Sequence, residues 1–149
     1  MTKNNFIIVI DTREQRPYKF PGVETVRQGL PAGDYSILGC ERKVAVERKT
    51  KEDAYGTIGK GRKRFVKELE RLQGYEYRAI VIECTMRGFM APPERSELHP
   101  RAAIGSILAW GVKYKIPVFF ADNRKFGAAT TLKLLQKFWE YRKDDRIYL

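Results

Sequence analysis

Residues 33–53, GDYSILGCERKVAVERKTKED, decide how this chain is read. Two apolar runs, YSILGC and KVAVERKT, follow a Gly-Asp turn and are separated by turn residues near Gly39–Glu41. That pattern predicts paired antiparallel strands. Side chains alternate along a strand with a period of two, so Ala45, Glu47 and Lys49 share one face while Val44, Val46 and Arg48 share the other. Asp34 opens the first strand of the pair, and the intervening turn returns the end of the second beside it. Asp34, Glu47 and Lys49 are therefore expected together, with small Ala45 leaving room. Asp11, which ends the earlier apolar run FIIVID, can join them.

Such a gathering needs a physical reason. Two carboxylates about 4 Å apart repel by roughly 1 kcal/mol in water and about 4 kcal/mol at an effective dielectric of 20. A divalent cation between them reverses the sign. Hard oxygen donors, few in number, suit Mg²⁺ or Mn²⁺. A metal so held lowers the pKa of a water and shields charge growing on a phosphate. Lys49 is expected to hold or help deprotonate the attacking water, or to neutralise the phosphorane. The competing reading is a set of surface ion pairs, each worth about 0–1 kcal/mol.

Outward from this stretch, FIIVID reads as a buried strand, VETVRQ as a short strand, and TREQRPYKFPG as a loop. KEDAYGTIGKGRKRF, with its glycines and basic residues, reads as a flexible basic segment. Lys60, Arg62, Lys63 and Arg64 within it are candidate phosphate contacts at a helix start. The run lacks the GxxxxGK[ST] spacing of a nucleotide loop. RFVKELERLQ follows as a helix, with Phe65, Leu69 and Leu72 on one side and Glu68 placed to pair with Arg71. YRAIVIEC and IPVFFAD read as further buried strands, MRGFMAPPERSELHP as a loop, and RAAIGSILAWGVKYK and RKFGAATTLKLLQKFWEYRK as helices. Strands alternating with helices predict an α/β fold: a mixed central sheet of about five to six strands, with an antiparallel hairpin near the start, flanked by helices. His99 is read as a surface or capping residue. Tyr55 is open to core packing or base stacking. Glu83 is open to a site role or to an ion pair with Arg87 or Arg101.

The chain has 149 residues, 43% of them hydrophobic, enough for one folded domain over residues 1–149. A net charge of +11 favours a polyanionic partner, nucleic acid first. Cys40 and Cys84 form no CxxC pair, which argues against a zinc site or a disulfide framework. FIIVI is too short for the apolar core of a signal peptide, and no run is long enough to span a bilayer. An intracellular, soluble protein is expected, cytoplasmic and nucleoid-associated, or nuclear in a eukaryote.

IDTREQ, GDYSI, VERKTKED and RFVKELERL occur in that order, and together they resemble the XPF/Hef-type nuclease domain. Its signature, GD followed by ERK, three residues and D, corresponds to Gly33-Asp34, Glu47-Arg48-Lys49 and Asp53. The resemblance implies a restriction-endonuclease-like core and cleavage of branched or flapped DNA with Mg²⁺ or Mn²⁺, in repair, recombination or replication. It implies metal ligation by Asp34 and Glu47, a water-serving role for Lys49, and support of metal or lysine by Asp53. Asp11 and Arg13 match the family's first motif and complete the pocket. Arg48 belongs to the motif, yet the strand period turns it away from Glu47. It is open to anchoring the strand end or to reaching phosphate. Larger family members carry a helix-hairpin-helix module, and residues 1–149 hold no hairpin pair of that kind. The grip on DNA is expected from this domain, from a homodimer through the C-terminal half, or from a separate targeting protein. A non-catalytic DNA-binding or scaffold module of the same fold is the alternative, and a nuclease acting on RNA or plain duplex is a third reading.

Overall fold

A computed structural model describes residues 5–147 of the chain, with side chains described through residue 142. Six strands form one sheet: β1 (Ile8–Ile10), β2 (Thr25–Arg27), β3 (Tyr35–Ile37), β4 (Val44–Lys49), β5 (Tyr77–Ile82) and β6 (Val118–Phe120). Their order is β2-β1-β3-β4-β5-β6. β3 alone runs against its neighbours; β1 pairs parallel with β2, and β4, β5 and β6 are mutually parallel. The antiparallel hairpin expected from residues 33–53 is the β3–β4 pair, in register at Tyr35 opposite Val46.

Among the described residues five α-helices flank the sheet: α1 (Lys51–Ile58), α2 (Arg62–Arg71), α3 (Met86–Phe89), α4 (Pro100–Lys113) and α5 (Arg124–Ile147), with a 3-10 turn at Leu72–Gly74. The alternation along β4 and β5 divides the core in two. Ala45, Ile80 and Ile82 pack under α1, α2 and α4 through Tyr55, Ile58, Phe65, Leu69, Ile107 and Trp110. Val44, Val46 and Val81 face α5 and pack with Ile8, Ile10, Tyr35, Ile37 and Leu135. β4 and β5 lie mid-sheet, covered on both faces, and their inner residues are fully buried on each side.

Three expectations change. Residues 51–58 form a helix where a flexible segment was predicted. Thr50 and Asp53 build a reciprocal capping box at its start, and Ala54, Tyr55 and Ile58 bury one side. Tyr55 packs on Phe89 with ring centroids 4.8 Å apart and donates to the Phe89 carbonyl, so it takes the core role and not base stacking. β6, predicted to be a buried strand, is half-buried because it closes one edge of the sheet. The loop predicted over residues 86–100 contains the short α3, whose N-cap Thr85 accepts from the Gly88 N–H. His99 caps α4 by accepting from the Arg101 N–H, the capping role read for it. Among the described residues no helix is long and apolar enough to cross a membrane.

Candidate active site

The ends of β1, β3 and β4 carry the acidic row. The Asp11 N–H donates to the Asp34 carbonyl, and the Asp34 N–H to the Val46 carbonyl, each at 2.9 Å. These bonds align Asp11, Asp34 and Glu47 side by side on the face away from α5. They line a cleft of about 460 Å³ together with Arg13, Gly33, Lys49, Asp53, Arg64, Phe65 and Glu68.

Gly33 makes the turn into β3 possible for two reasons. Its φ is +79°, and a Cβ there would stand 2.7 Å from the Ala45 Cβ. The "small Ala45" of the sequence therefore makes space for the Gly33 backbone. The Gly33 N–H donates to Glu68 Oε1 at 2.6 Å, which ties this turn to α2. Glu68 also holds Arg71 at 2.5 Å, the expected i,i+3 pair.

Asp34 accepts the Arg48 peptide N–H through Oδ2 at 2.8 Å. Burial, then the neighbouring charges of Glu47 and Glu14, push its carboxyl well above the usual range. Glu47 is 8% exposed, and its pKa rises to about 7. Burial is the main cause there; Lys49 opposes it and Glu68 adds to it. Lys49 Nζ lies 3.3 Å from Glu47 Oε2 and 4.7 Å from the centre of the Phe65 ring.

Asp11 stands in the row, but its oxygens are already engaged. Arg13 Nε reaches Oδ2 at 2.8 Å, and the Leu30 N–H reaches Oδ1 at 2.8 Å. Burial raises its pKa, and these donors outweigh burial to leave it below the usual carboxylate value. Asp11, for which a metal-ligand role was expected, also orients Arg13, whose side chain remains 74% exposed at the cleft mouth. Asp53 faces the same cleft, yet its carboxylate closes the α1 capping box by accepting from the Thr50 N–H. Among the described residues no three His, Cys, Asp or Glu side chains converge as a preformed metal cluster.

Arg48 lies on the opposite face, as the strand period requires. Its guanidinium bonds Glu83 at 2.6 Å and Glu14 at 3.1 Å and covers the Tyr18 ring. Glu83 therefore pairs with Arg48, not with Arg87 or Arg101. Of the basic candidates, Arg64 lines the cleft and Lys60 lines an adjoining groove that shares Glu52 and Gly56 with it. Lys63 is exposed. Arg62 turns instead to α4, contacting Ser106 and covering Trp110, so it ties two helices together. Glu68 and Glu14 were missed as site residues. Glu68 left a readable sign, a carboxylate on the same stripe as Phe65, Leu69 and Leu72. Glu14 stands inside the IDTREQ motif, but its partners Tyr35 and Arg48 are distant in sequence and so were not legible.

The model of the ERCC4 domain matches residues 10–134, which spans all of this constellation. The chain belongs to the ERCC4 domain family. As an ERCC4 domain it is similar to the structure of XPF from Aeropyrum pernix, with 25% identity and a TM-score of 0.68, over 87% of this chain and 60% of that one. It is similar also to XPF from Aeropyrum pernix in complex with DNA, at 25% identity and a TM-score of 0.69, over 92% of this chain and 66% of that one. This ERCC4 domain thus spans about 60–66% of the length of those two structures. No curated protein matches its sequence. Its mixed six-stranded sheet is the restriction-endonuclease-like fold of the XPF nuclease domain.

Asp34 and Glu47 are the residues of this ERCC4 domain that fit a hard divalent cation. Asp34 Oδ1 and Glu47 Oε1 accept no hydrogen bond among the described residues, and burial holds both carboxyls against ionisation, with Glu47 adding to the effect at Asp34. A doubly charged ion relieves that resistance.

Proposed function

We propose that this chain is a Mg²⁺- or Mn²⁺-dependent endonuclease that hydrolyses phosphodiester bonds in DNA, branched or flapped DNA in particular. The observation that carries the proposal is Asp34 and Glu47 side by side with Lys49 in one cleft, each carboxyl held against its own ionisation. Asp34 and Glu47 would hold the metal, whose chemistry there would be a more acidic bound water and shielding of developing phosphate charge.

The chain's own groups do the rest. Lys49 Nζ, 3.3 Å from Glu47, orients the attacking water and offsets negative charge on the phosphate being cut. Arg13, braced by Asp11, and Arg64 on α2 hold the DNA backbone at the cleft mouth. Asp53 fixes the start of α1, which walls the cleft. The net charge of +11 supports a polyanionic substrate, and the neighbour solved in complex with DNA supports DNA as that polyanion. A second copy is proposed to dock through the C-terminal half. Ile107 and Trp110 are buried and Ile104 is half-buried, which leaves Leu108 and Val112 as the exposed large apolar residues of α4. A separate targeting protein would supply any grip on DNA that this domain lacks.

The test is incubation of the full chain with flapped, branched, plain duplex and RNA substrates, with Mg²⁺, Mn²⁺ or EDTA. Metal-dependent cutting of flapped DNA that vanishes in Glu47→Ala is expected. Equal rates for the two proteins reject the proposal. Salt-sensitive binding without cutting in any metal would make the chain a binding module.

A further inference from the structure

The proposed chemistry uses one face of β4. The other face carries a buried set of charges at the same level. Arg48 is 10% exposed at its side chain, and its Nε lies 2.6 Å from Glu83 Oε2. Its Nη1 reaches Glu14 Oε2 at 3.1 Å and the Arg16 carbonyl at 2.9 Å. Tyr18 donates its hydroxyl to the same Glu83 oxygen, and its ring lies 4.6 Å beneath the guanidinium. Tyr35 donates to Glu14 at 2.7 Å. Glu83 grips the strand a second time, since its own N–H donates to the Lys49 carbonyl at 2.8 Å.

We propose that Glu83 is a positioning residue: through Arg48 and the Lys49 carbonyl it fixes the rotation of the end of β4 and so aims Glu47 and Lys49 into the cleft. Residues flanking a strand position share the opposite face, so a turn of the backbone at Arg48 swings both neighbours together. The Arg48 peptide N–H also donates to Asp34 at 2.8 Å, which places all three cleft residues under the same control. An arginine fork held by two carboxylates, a carbonyl and an aromatic face has a fixed orientation that lysine cannot reproduce. Tyr18 reads Glu83 from the third side. A Cβ on Gly127 would collide with its hydroxyl, so α5 closes over the set only because residue 127 has no side chain. The function assigned to Glu83 rests on the nuclease reading above; the geometry it controls does not.

The experiment compares wild type with Glu83→Gln and Arg48→Lys. Metal-free amide hydrogen exchange is followed at Arg48, with Ile80 as internal reference, beside steady-state cleavage of flapped DNA in Mn²⁺. For both variants, protection at Arg48 should fall at least about tenfold relative to Ile80. The kcat should fall at least about tenfold while KM stays within about twofold, because the DNA-facing Arg13 and Arg64 are untouched. Unchanged Arg48 protection, or lost protection with unchanged kcat, overturns the proposal. If wild type cuts no substrate in any metal, the nuclease reading falls, and the exchange at Arg48 alone decides whether Glu83 holds the strand end. Should Glu83→Gln not fold, Tyr18→Phe, which removes only the hydroxyl donated to Glu83, carries the same measurement.

Discussion

Glu47 works against the stability of the protein that carries it. Its folded pKa, about 7, lies above the ordinary 4.5, so the fold binds this proton more tightly than the unfolded chain does. The contribution to stability is full below pH 4.5 and is lost as pH rises through about 7. Glu47→Gln mimics the neutral acid and also relieves Asp34. In EDTA the variant should melt above wild type at pH 8, with the gap closing toward pH 4.5; a lower melting temperature at pH 8 would contradict the buried-charge account. Gly33 is the opposite case, a residue the fold cannot exchange. Gly33→Ala meets both a left-handed φ and the Ala45 Cβ, and should cost about 2 kcal/mol or more in urea denaturation. Much at this scale was legible in the sequence. A period of two placed Glu47 with Lys49 and turned Arg48 away. The occupation of the Asp11 oxygens by Arg13 and the Leu30 N–H was not legible, because a motif records which residues gather and not which of their atoms are already bonded.

At the scale of elements, α1 carries the lesson. Gly56 and Gly59 and the charges of residues 51–63 suggested a loose segment. Yet Thr50 and Asp53 were three residues apart, and Ala54, Tyr55 and Ile58 were spaced for one helical face. The box needed its partners across the molecule, where Phe89 receives the Tyr55 hydroxyl and Lys51 ties the carbonyl of Ala91 at 2.8 Å. Asp53→Ala should therefore act first on the helix. It should cost about 1 kcal/mol of stability, and exchange of the first α1 amides should quicken in the absence of metal. Loss of cleavage with no change in that exchange would instead give Asp53 a direct part in the site. The hairpin β3–β4 was readable because its pattern is local. The pairing of Glu83 with Arg48 was not, since β5 and β4 are joined through two helices and only the assembled sheet sets them level.

For the whole molecule, one sheet separates two kinds of work. The face under α1, α2 and α4 opens the cleft, while the face under α5 packs the apolar core and the Arg48 cluster that support it. The excess of positive charge acts over the full surface. If about six phosphates are neutralised on binding, affinity for DNA should fall by about 10³ between 50 and 200 mM salt; a flat dependence would remove nucleic acid as the partner. Charge favoured that partner from composition alone, but could not tell which arginines line the cleft: Arg13 and Arg64 do, while Arg62, also exposed, leans on α4 through Ser106 and Trp110. Everything proposed for this chain returns to two carboxyls that resist ionisation side by side until a divalent ion joins them. A crystal soaked in Mn²⁺ tests this most directly: anomalous density bridging Asp34 and Glu47, lost in Glu47→Gln, is the predicted result, and a map with no anomalous peak between those two side chains would contradict it.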